Sequence, residues 1–282
     1  MSESYSKIPG NRTDVRGIAR AFPSFDESSV RAAFDKVIGA KEFPSEGELR
    51  LVERAKKYCR VLAKFPAIRR IWVCNSLSMN AADADSDIDL FVETAPGRIW
   101  TGRVVTTLFF TLLGVRRHGD KVKGRFCLSF FAAEGADFGK IAIPDDVYLS
   151  EWARRLVPVD GFEGFRAPLL DWSSTGGGTN ESAATSTLLG AGTERSVPRL
   201  RRSSERTRNP SSLARLVESI LKRLFLGKTL REYERLGKPW GIVISDDFLK
   251  FHPEDRRMEI REEVRKRLSK FDTLTPTTRS EK

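Results

Sequence analysis

The alternation of side chains in residues 87–93 is the feature that most restricts the fold of this chain. Its odd positions begin with Asp87 and Asp89 and continue with Phe91. Its even positions are aliphatic: Ile88, Leu90 and Val92. Successive side chains of a β-strand point to opposite faces of the sheet. The segment is therefore predicted to be a strand with one apolar face and a second face that begins with two carboxylates.

Two more strands and several helices are expected around this segment. Residues 71–74 and 126–132 are rich in β-branched or aromatic residues, which predicts strands. Cys127, Ser129 and Phe131 are expected to share one face of the second of these strands. Between the strands, apolar residues at helical spacing predict helices. This order of elements predicts an α/β (α+β) fold, in which a small mixed β-sheet is flanked by helices.

Local signals indicate where some of the helices begin. Ser45 and Glu48 have the spacing of a capping box, and the helix that follows is expected to reach about residue 64. Ser29 is a candidate cap for an earlier helix. After residue 210, helical spacing returns, and one apolar face is expected to contain Leu213, Leu216, Val217, Ile220, Leu221 and Leu224.

The composition changes sharply at residue 173. Residues 173–212 are dominated by Gly, Ser, Thr and Arg, and such a segment buries too little apolar surface to offset its ordering entropy. This predicts a disordered linker. The linker separates a domain at residues 27–172, which follows a loose N-terminus at 1–26, from a helical C-terminal region at 213–272. Residues 273–282 are expected to form a tail.

The chain carries a formal net charge of +11, which suits polyanionic partners such as RNA, DNA or nucleotide phosphates. Much of the excess lies in the run from Arg195 to Arg208. We expect this run to contribute salt-sensitive nucleic-acid binding that does not depend on base sequence. The alternative is that the run raises the total charge without forming a site.

Other features indicate a cytoplasmic protein. Three cysteines without a CxxC pair, together with only two histidines, argue against a zinc site. Buried free thiols in a reducing compartment are expected instead. The N-terminus has no apolar segment typical of a secretory signal. The most apolar stretch, Val104–Val115, is too short to span a bilayer and is expected to be a buried helix.

The two aspartates of the predicted strand carry the clearest chemical signal. Asp87 and Asp89 point to the same side of the strand, so their charges repel unless a cation lies between them. Mg²⁺ favours oxygen ligands and typically binds one or two carboxylates together with substrate phosphates. A strand, a loop and a second strand that begins with this pair therefore indicate a metal site for a nucleoside triphosphate.

These residues resemble the signature of the nucleotidyltransferase superfamily, whose fold is shared with DNA polymerase beta. That signature is a strand ending in Gly-Ser, a spacer of about ten residues, and two aspartates separated by one apolar residue. Ser76 matches the serine, and Ser86 precedes the matching pair Asp87 and Asp89. Uncharacterised bacterial nucleotidyltransferase-domain proteins are similar more widely, at residues 115–117, 126–129 and 251–253.

The resemblance implies that Asp87 and Asp89 bind Mg²⁺ or Mn²⁺ and act in catalysis. It also implies that Asn75, Ser76 and Ser86 contact an NTP such as ATP. The implied reaction moves a nucleoside monophosphate to a hydroxyl of RNA, a protein or a small molecule. Lys121, Lys123 and Arg125 are candidate phosphate contacts, and the alternative is that they belong to a solvated connector.

Two departures from the signature leave other functions open. Asn75 replaces the glycine of the turn, although asparagine tolerates the left-handed conformation better than most residues. The third carboxylate of the family is absent from the predicted strand, where Ser129 occupies the expected position and Glu134 follows. The alternatives are an inactive nucleotide- or RNA-binding module with the same fold and an antitoxin-like protein that modifies a partner.

Overall fold

A computed structural model describes residues 20–161 and 211–274, with side chains described up to residue 270. Within these ranges the helices are α1 (Glu27–Ile38), α2 (Glu46–Leu62), α3 (Asn75–Ser78), α4 (Ile99–Leu112), α5 (Val147–Arg154), α6 (Ser212–Arg235) and α7 (Arg257–Leu274). The strands are β1 (Ile68–Val73), β2 (Ile88–Thr94), β3 (Phe126–Ala133), β4 (Val157–Pro158), β5 (Ile242–Ile244) and β6 (Phe248–Phe251).

The strands form one mixed six-stranded sheet in the order β4-β1-β2-β3-β6-β5. Strands β2 and β3 are parallel, and α4 connects them, whereas the other neighbouring pairs are antiparallel. The predicted α+β fold class is confirmed. The C-terminal part contains two long helices, as expected, and also a hairpin of β5 and β6 that extends the sheet next to β3.

The helix starts follow local hydrogen bonding. The capping box at α2 is confirmed, because the Ser45 hydroxyl accepts from Glu48 N and the Glu48 carboxylate accepts from Ser45 N. Helix α1 begins earlier than predicted. Its cap is Asp26, whose carboxylate accepts from Ser29 N at 2.8 Å, so Ser29 lies inside the first turn. Both caps satisfy amide groups that have no partner within the helix.

The sheet separates two apolar clusters, and the alternation of β2 is confirmed. Phe91 packs with Trp72 and Trp152 on one face. The aliphatic residues of β2 pack on the other face: Ile88, Leu90 and Val92. The N-terminal residues described from position 20 take part in the first cluster, because Phe22 is buried there and its amide donates to Asp145 Oδ1 at 3.2 Å.

Strand β3 contains an irregularity that the sequence pattern does not reveal. Asp89 is paired with Cys127, and Phe91 is paired with Phe130, so β3 has one more residue than β2 in this interval. The extra residue forms a β-bulge. Beyond it, each side chain of β3 points to the face opposite the one that strict alternation predicts. The prediction that Phe131 shares a face with Cys127 is therefore wrong: Phe131 packs in the opposite cluster.

The two helices on the outer layer, α4 and α6, are less buried than their sequences predict. Phe110 of α4 is fully buried, whereas Leu108 is 54% and Leu112 is 84% exposed, so the expectation of a buried helix holds for only one face. Most of the predicted apolar face of α6 is exposed: Leu213, Leu216, Val217, Ile220 and Leu224. Glu218 fastens α6 to the start of α4 by accepting from Trp100 N at 2.9 Å and Thr101 N at 2.8 Å.

Some of the sequence predictions lie outside the described residues. These are the predicted linker up to residue 210, including the basic run from Arg195 to Arg208, the first 19 residues and the tail. Across residues 20–161 and 211–274, every helix is too short or too polar to cross a membrane.

Candidate metal centre

Three potential metal ligands converge where the parallel strands β2 and β3 begin. Asp87 directly precedes β2, Asp89 is its second residue, and Cys127 is the Cα partner of Asp89 on β3. One ligand atom from each residue lies within 4.8 Å of the other two. Parallel pairing places the starts of both strands at the same edge of the sheet. The sequence signature identified the two aspartates, whereas Cys127 was expected only as a buried thiol.

The carboxylates are held close together in a partly buried position. Burial is the largest cause that raises the pKa of Asp89, to about 6, and the neighbouring Asp87 charge raises it further. Hydrogen bonding to Cys127 and Asn75, and the positive charge of Arg117, act in the opposite direction. Two adjacent carboxylates with this repulsion form a site that a cation stabilises.

Arg117 supplies a positive charge to this pair. Its Nη1 donates to Asp87 Oδ2 at 2.7 Å, and its side chain is 47% exposed, compared with 11% for Asp87. The guanidinium therefore neutralises the outer carboxylate from the solvent side. A metal ion that uses this oxygen of Asp87 has to displace Arg117 or share the oxygen with it.

The donor atoms of the centre differ from those of a purely carboxylate site. Burial, followed by the charge of Asp89, raises the pKa of the Cys127 thiol far above its ordinary value. The thiol is therefore protonated unless a bound cation reverses this balance. Two carboxylates suit Mg²⁺ or Mn²⁺, and a thiolate additionally favours softer ions such as Zn²⁺. The residues present thus fit a divalent cation, with Cys127 as an unusual third neighbour.

The turn after β1 lies beside these carboxylates. Asn75 has a φ of 57°, in the left-handed region, as expected for the residue that replaces the glycine. The Cys74 amide donates to the Asp89 carbonyl at 3.0 Å, which fastens the turn to β2. Tyr148 of α5 donates to Asn75 Oδ1 at 3.2 Å. The partly exposed Ser76 follows, so the predicted phosphate-binding turn lies next to the metal pair.

Ser86 has a local structural role. Its hydroxyl accepts from Asp83 N at 2.9 Å and donates to Asp83 Oδ1 at 2.8 Å. These two hydrogen bonds stabilise the loop that precedes Asp87 and β2. Its predicted contact with a nucleotide stays a prediction. Asp85 in the same loop is exposed and pairs with Lys123 at 3.1 Å.

The two residues considered for a third carboxylate position, Ser129 and Glu134, do not add a carboxylate to the centre. Ser129 lies two residues beyond Cys127, and its Oγ is 3.1 Å from His252 Nε2 of the C-terminal part. Glu134 binds Arg69 at the far end of the sheet. Glu134 follows the last residue of β3, at the end of the sheet opposite the centre. The neighbouring strand β2, from Ile88 to Thr94, is about 20 Å long, so Glu134 lies too far away to complete the centre.

A cleft of about 800 Å³ adjoins the turn. Its lining includes Asn75, Ser76 and Tyr148 on one side and Lys250 and His252 on the other, but neither metal-site aspartate. Lys250 forms a buried ion pair with Asp255. Burial lowers the pKa of His252 to about 4, so its imidazole is neutral near pH 7. The lining also contains five carboxylates against three basic side chains, so the cleft adds polar and aromatic groups beside the turn but no excess of positive charge.

Comparisons with known proteins leave the chain without an assigned family. No protein-family model matches it, and neither a curated protein nor a solved structure is significantly similar to it.

Proposed function

We propose that this protein is a metal-dependent nucleotidyltransferase, which moves a nucleoside monophosphate from an NTP to a hydroxyl group. The observation that carries the proposal is the convergence of Asp87 and Asp89, with Cys127, beside the left-handed turn at Asn75. A pair of carboxylates at a strand edge, next to a partly exposed turn and a cleft of nucleotide size, suits a divalent cation that carries a triphosphate.

Each group has a defined part in this reaction. Asp87 and Asp89 would hold Mg²⁺ or Mn²⁺, which supplies charge stabilisation for the transferring phosphoryl group. Ser76 and the neighbouring amides would orient the triphosphate. The acceptor oxygen would form a bond to the α-phosphorus as the bond to the bridging oxygen breaks; pyrophosphate would leave with that electron pair, and the hydroxyl proton would pass to water. Arg117 is placed to exchange its contact with Asp87 for a phosphate oxygen.

A second candidate function is a nucleotide-binding module without catalysis. The observation that favours it is the identity of the third residue, because Cys127 stands beside the aspartates in place of a carboxylate. Without a third carboxylate, the centre lacks a group that would act as a general base or as a further oxygen ligand. Nucleotide and metal binding need only the two aspartates and the turn.

The decisive experiment is label transfer from each α-labelled NTP, with Mg²⁺ or Mn²⁺, to total cell RNA and total cell protein. The test variant is Asp87→Asn/Asp89→Asn. The matched control is Asp137→Asn/Asp246→Asn, which removes the same charge from two exposed aspartates outside the centre. Labelled product that disappears in the test variant and persists in the control supports transfer.

A binding measurement separates the two candidates. Thermal unfolding of the wild type is followed with metal and NTP, alone and together. Stabilisation by the metal–NTP combination without any label transfer would favour the binding module. If neither transfer nor stabilisation is detected, or if the test variant behaves like the wild type, both candidate functions are contradicted.

A further inference from the structure

A strongly basic hairpin lies immediately beside the metal centre. Residues 115–125, here called the basic hairpin, are folded back by the backbone bonds between His118 and Lys121. The hairpin contains one acidic residue, Asp120, and five basic residues: Arg116, Arg117, Lys121, Lys123 and Arg125. Its net charge is therefore +4 within eleven residues, which makes it a candidate surface for a polyanion.

Backbone hydrogen bonds place the basic hairpin against both neighbours of Asp87. Ile88 N donates to the Arg125 carbonyl at 2.8 Å, and Gly124 N donates to the Ser86 carbonyl at 2.9 Å. Asp87 lies between these two bonded residues. The position of the hairpin relative to the metal pair is thus set by main-chain contacts and does not depend on flexible side chains.

Most of the charges on the basic hairpin are available to a ligand. Arg116 and Lys121 are exposed and make no ion pair with the described part of the chain. Lys123 is paired with Asp85, but both side chains are more than two-thirds exposed, so the pair is readily exchanged. Arg125 donates instead to the carbonyl oxygen of Gly114 at 2.8 Å. This residue therefore supports the hairpin and does not extend from it.

The number of these cations exceeds what one triphosphate requires. Residues 122–125 form a turn, in which Arg125 N donates to the Val122 carbonyl at 2.9 Å and Gly124 has a φ of 61°. Arg117 already provides a cation at the metal pair itself. Cations further along the hairpin match a ligand whose phosphates are repeated along a chain. The hairpin contains no Phe, Tyr or Trp, so stacking with bases contributes little to its contacts.

We propose that the basic hairpin binds the sugar–phosphate backbone of a nucleic acid and thereby presents a hydroxyl of that strand to Asp87 and Asp89. The role as acceptor rests on the proposed function, whereas backbone binding does not. Because the contacts are electrostatic, binding is salt-dependent and nearly independent of base sequence. RNA and DNA share this backbone chemistry, and the 2′-hydroxyl distinguishes them.

The test uses fluorescence anisotropy of the full chain with a labelled single-stranded RNA, and with a DNA of the same sequence, over a series of salt concentrations without NTP. The test variant is Lys121→Gln/Lys123→Gln. The matched control is Lys57→Gln/Lys64→Gln, which changes two exposed lysines associated with helix α2 and removes the same charge. Both variants leave Asp87, Asp89 and Arg117 intact.

The expected change follows from counterion release. Each lost phosphate contact reduces the salt slope for a single strand by about 0.7, so the test variant should lose about 1.4 in slope. If the binding curves meet near 1 M salt, its affinity at about 0.1 M should be about 25-fold lower than that of the wild type. The control should lie close to the wild type. RNA and DNA should respond alike unless the 2′-hydroxyl is also bound.

The inference is overturned if the wild type does not bind either strand. It is also overturned if the test and control variants lose equal affinity, because the effect would then belong to net charge. Failure of the proposed function is recognised separately. If only the proposed function fails, the wild type and the Asp87→Asn/Asp89→Asn variant both bind the strand through the hairpin, but neither protein transfers label to it.

Discussion

The contact between Arg117 and Asp87 predicts that removing the arginine strengthens metal binding. Arg117 Nη1 lies 2.7 Å from Asp87 Oδ2, where its charge competes with an incoming cation. In Arg117→Ala, a metal ion no longer has to displace the guanidinium or approach it against electrostatic repulsion. Both effects act in the same direction, so the Kd for a divalent cation should fall.

The exposure of the two partners determines the size of the effect. Hydrogen bonds to charged groups contribute about 1.5–3 kcal/mol, whereas fully exposed ion pairs contribute about 0.2–1 kcal/mol. Asp87 is 11% exposed and Arg117 is 47% exposed, which places this pair between the two classes. We therefore expect a competition of about 1.4 kcal/mol, equivalent to an approximately tenfold lower Kd in the variant.

The assay is a titration of the nucleotide-free protein with Mn²⁺, followed by the electron paramagnetic resonance signal of the free ion. It is performed at about pH 8, which is above the Asp89 pKa of about 6, so that protonation of this carboxyl does not contribute. Arg116→Ala is the matched control, because Arg116 is an exposed arginine one position away that makes no ion pair with Asp87.

The reasoning is refuted if Arg117→Ala binds Mn²⁺ no more tightly than Arg116→Ala. An equal gain in both variants would indicate a general effect of lost positive charge. A weaker affinity in Arg117→Ala would indicate that the arginine organises the carboxylates. Circular dichroism spectra of the three proteins should coincide, which confirms that the comparison is made between folded chains.

Three further predictions concern the centre and its support. Metal affinity should fall about tenfold per pH unit below about pH 6 and level off above it, because the folded protein holds a proton on Asp89 that the metal must displace; calorimetric titrations across pH measure this, and a flat profile would contradict it. Cys127→Asp should raise Mg²⁺ affinity relative to Zn²⁺, since it replaces a soft thiol by an oxygen ligand; parallel titrations with both ions test the change, and Cys127→Ser is its control. Glu218→Ala should lower the free energy of unfolding, measured in urea, by about 1–3 kcal/mol, because the α4 amides lose their carboxylate acceptor. The control is Glu232→Ala, which breaks an exposed ion pair on the same helix and should cause little change.

Features that depend on neighbouring residues could be predicted from the sequence. The alternation of β2 requires only that successive side chains point to opposite faces, and it placed Asp87 and Asp89 on one side of the strand. The capping box at Ser45 requires a contact between residues three positions apart, and the structure contains it. The left-handed conformation at Asn75 was implied by the resemblance, which places a glycine at this position, and asparagine tolerates it better than most residues.

Features that depend on distant parts of the chain required the tertiary structure. Cys127 reaches the aspartates because β3 pairs in parallel with β2, and the register of that pairing depends on packing at both faces. A bulge of one residue then separates Phe131 from Cys127. Helix α6 contacts α4 through the side that carries Glu218, and this orientation determines which face of α6 is exposed. The sequence by itself thus determined the carboxylate pair and the local elements around it. The third residue of the centre, and the basic hairpin beside it, were decided by long-range pairing, which a local pattern does not encode.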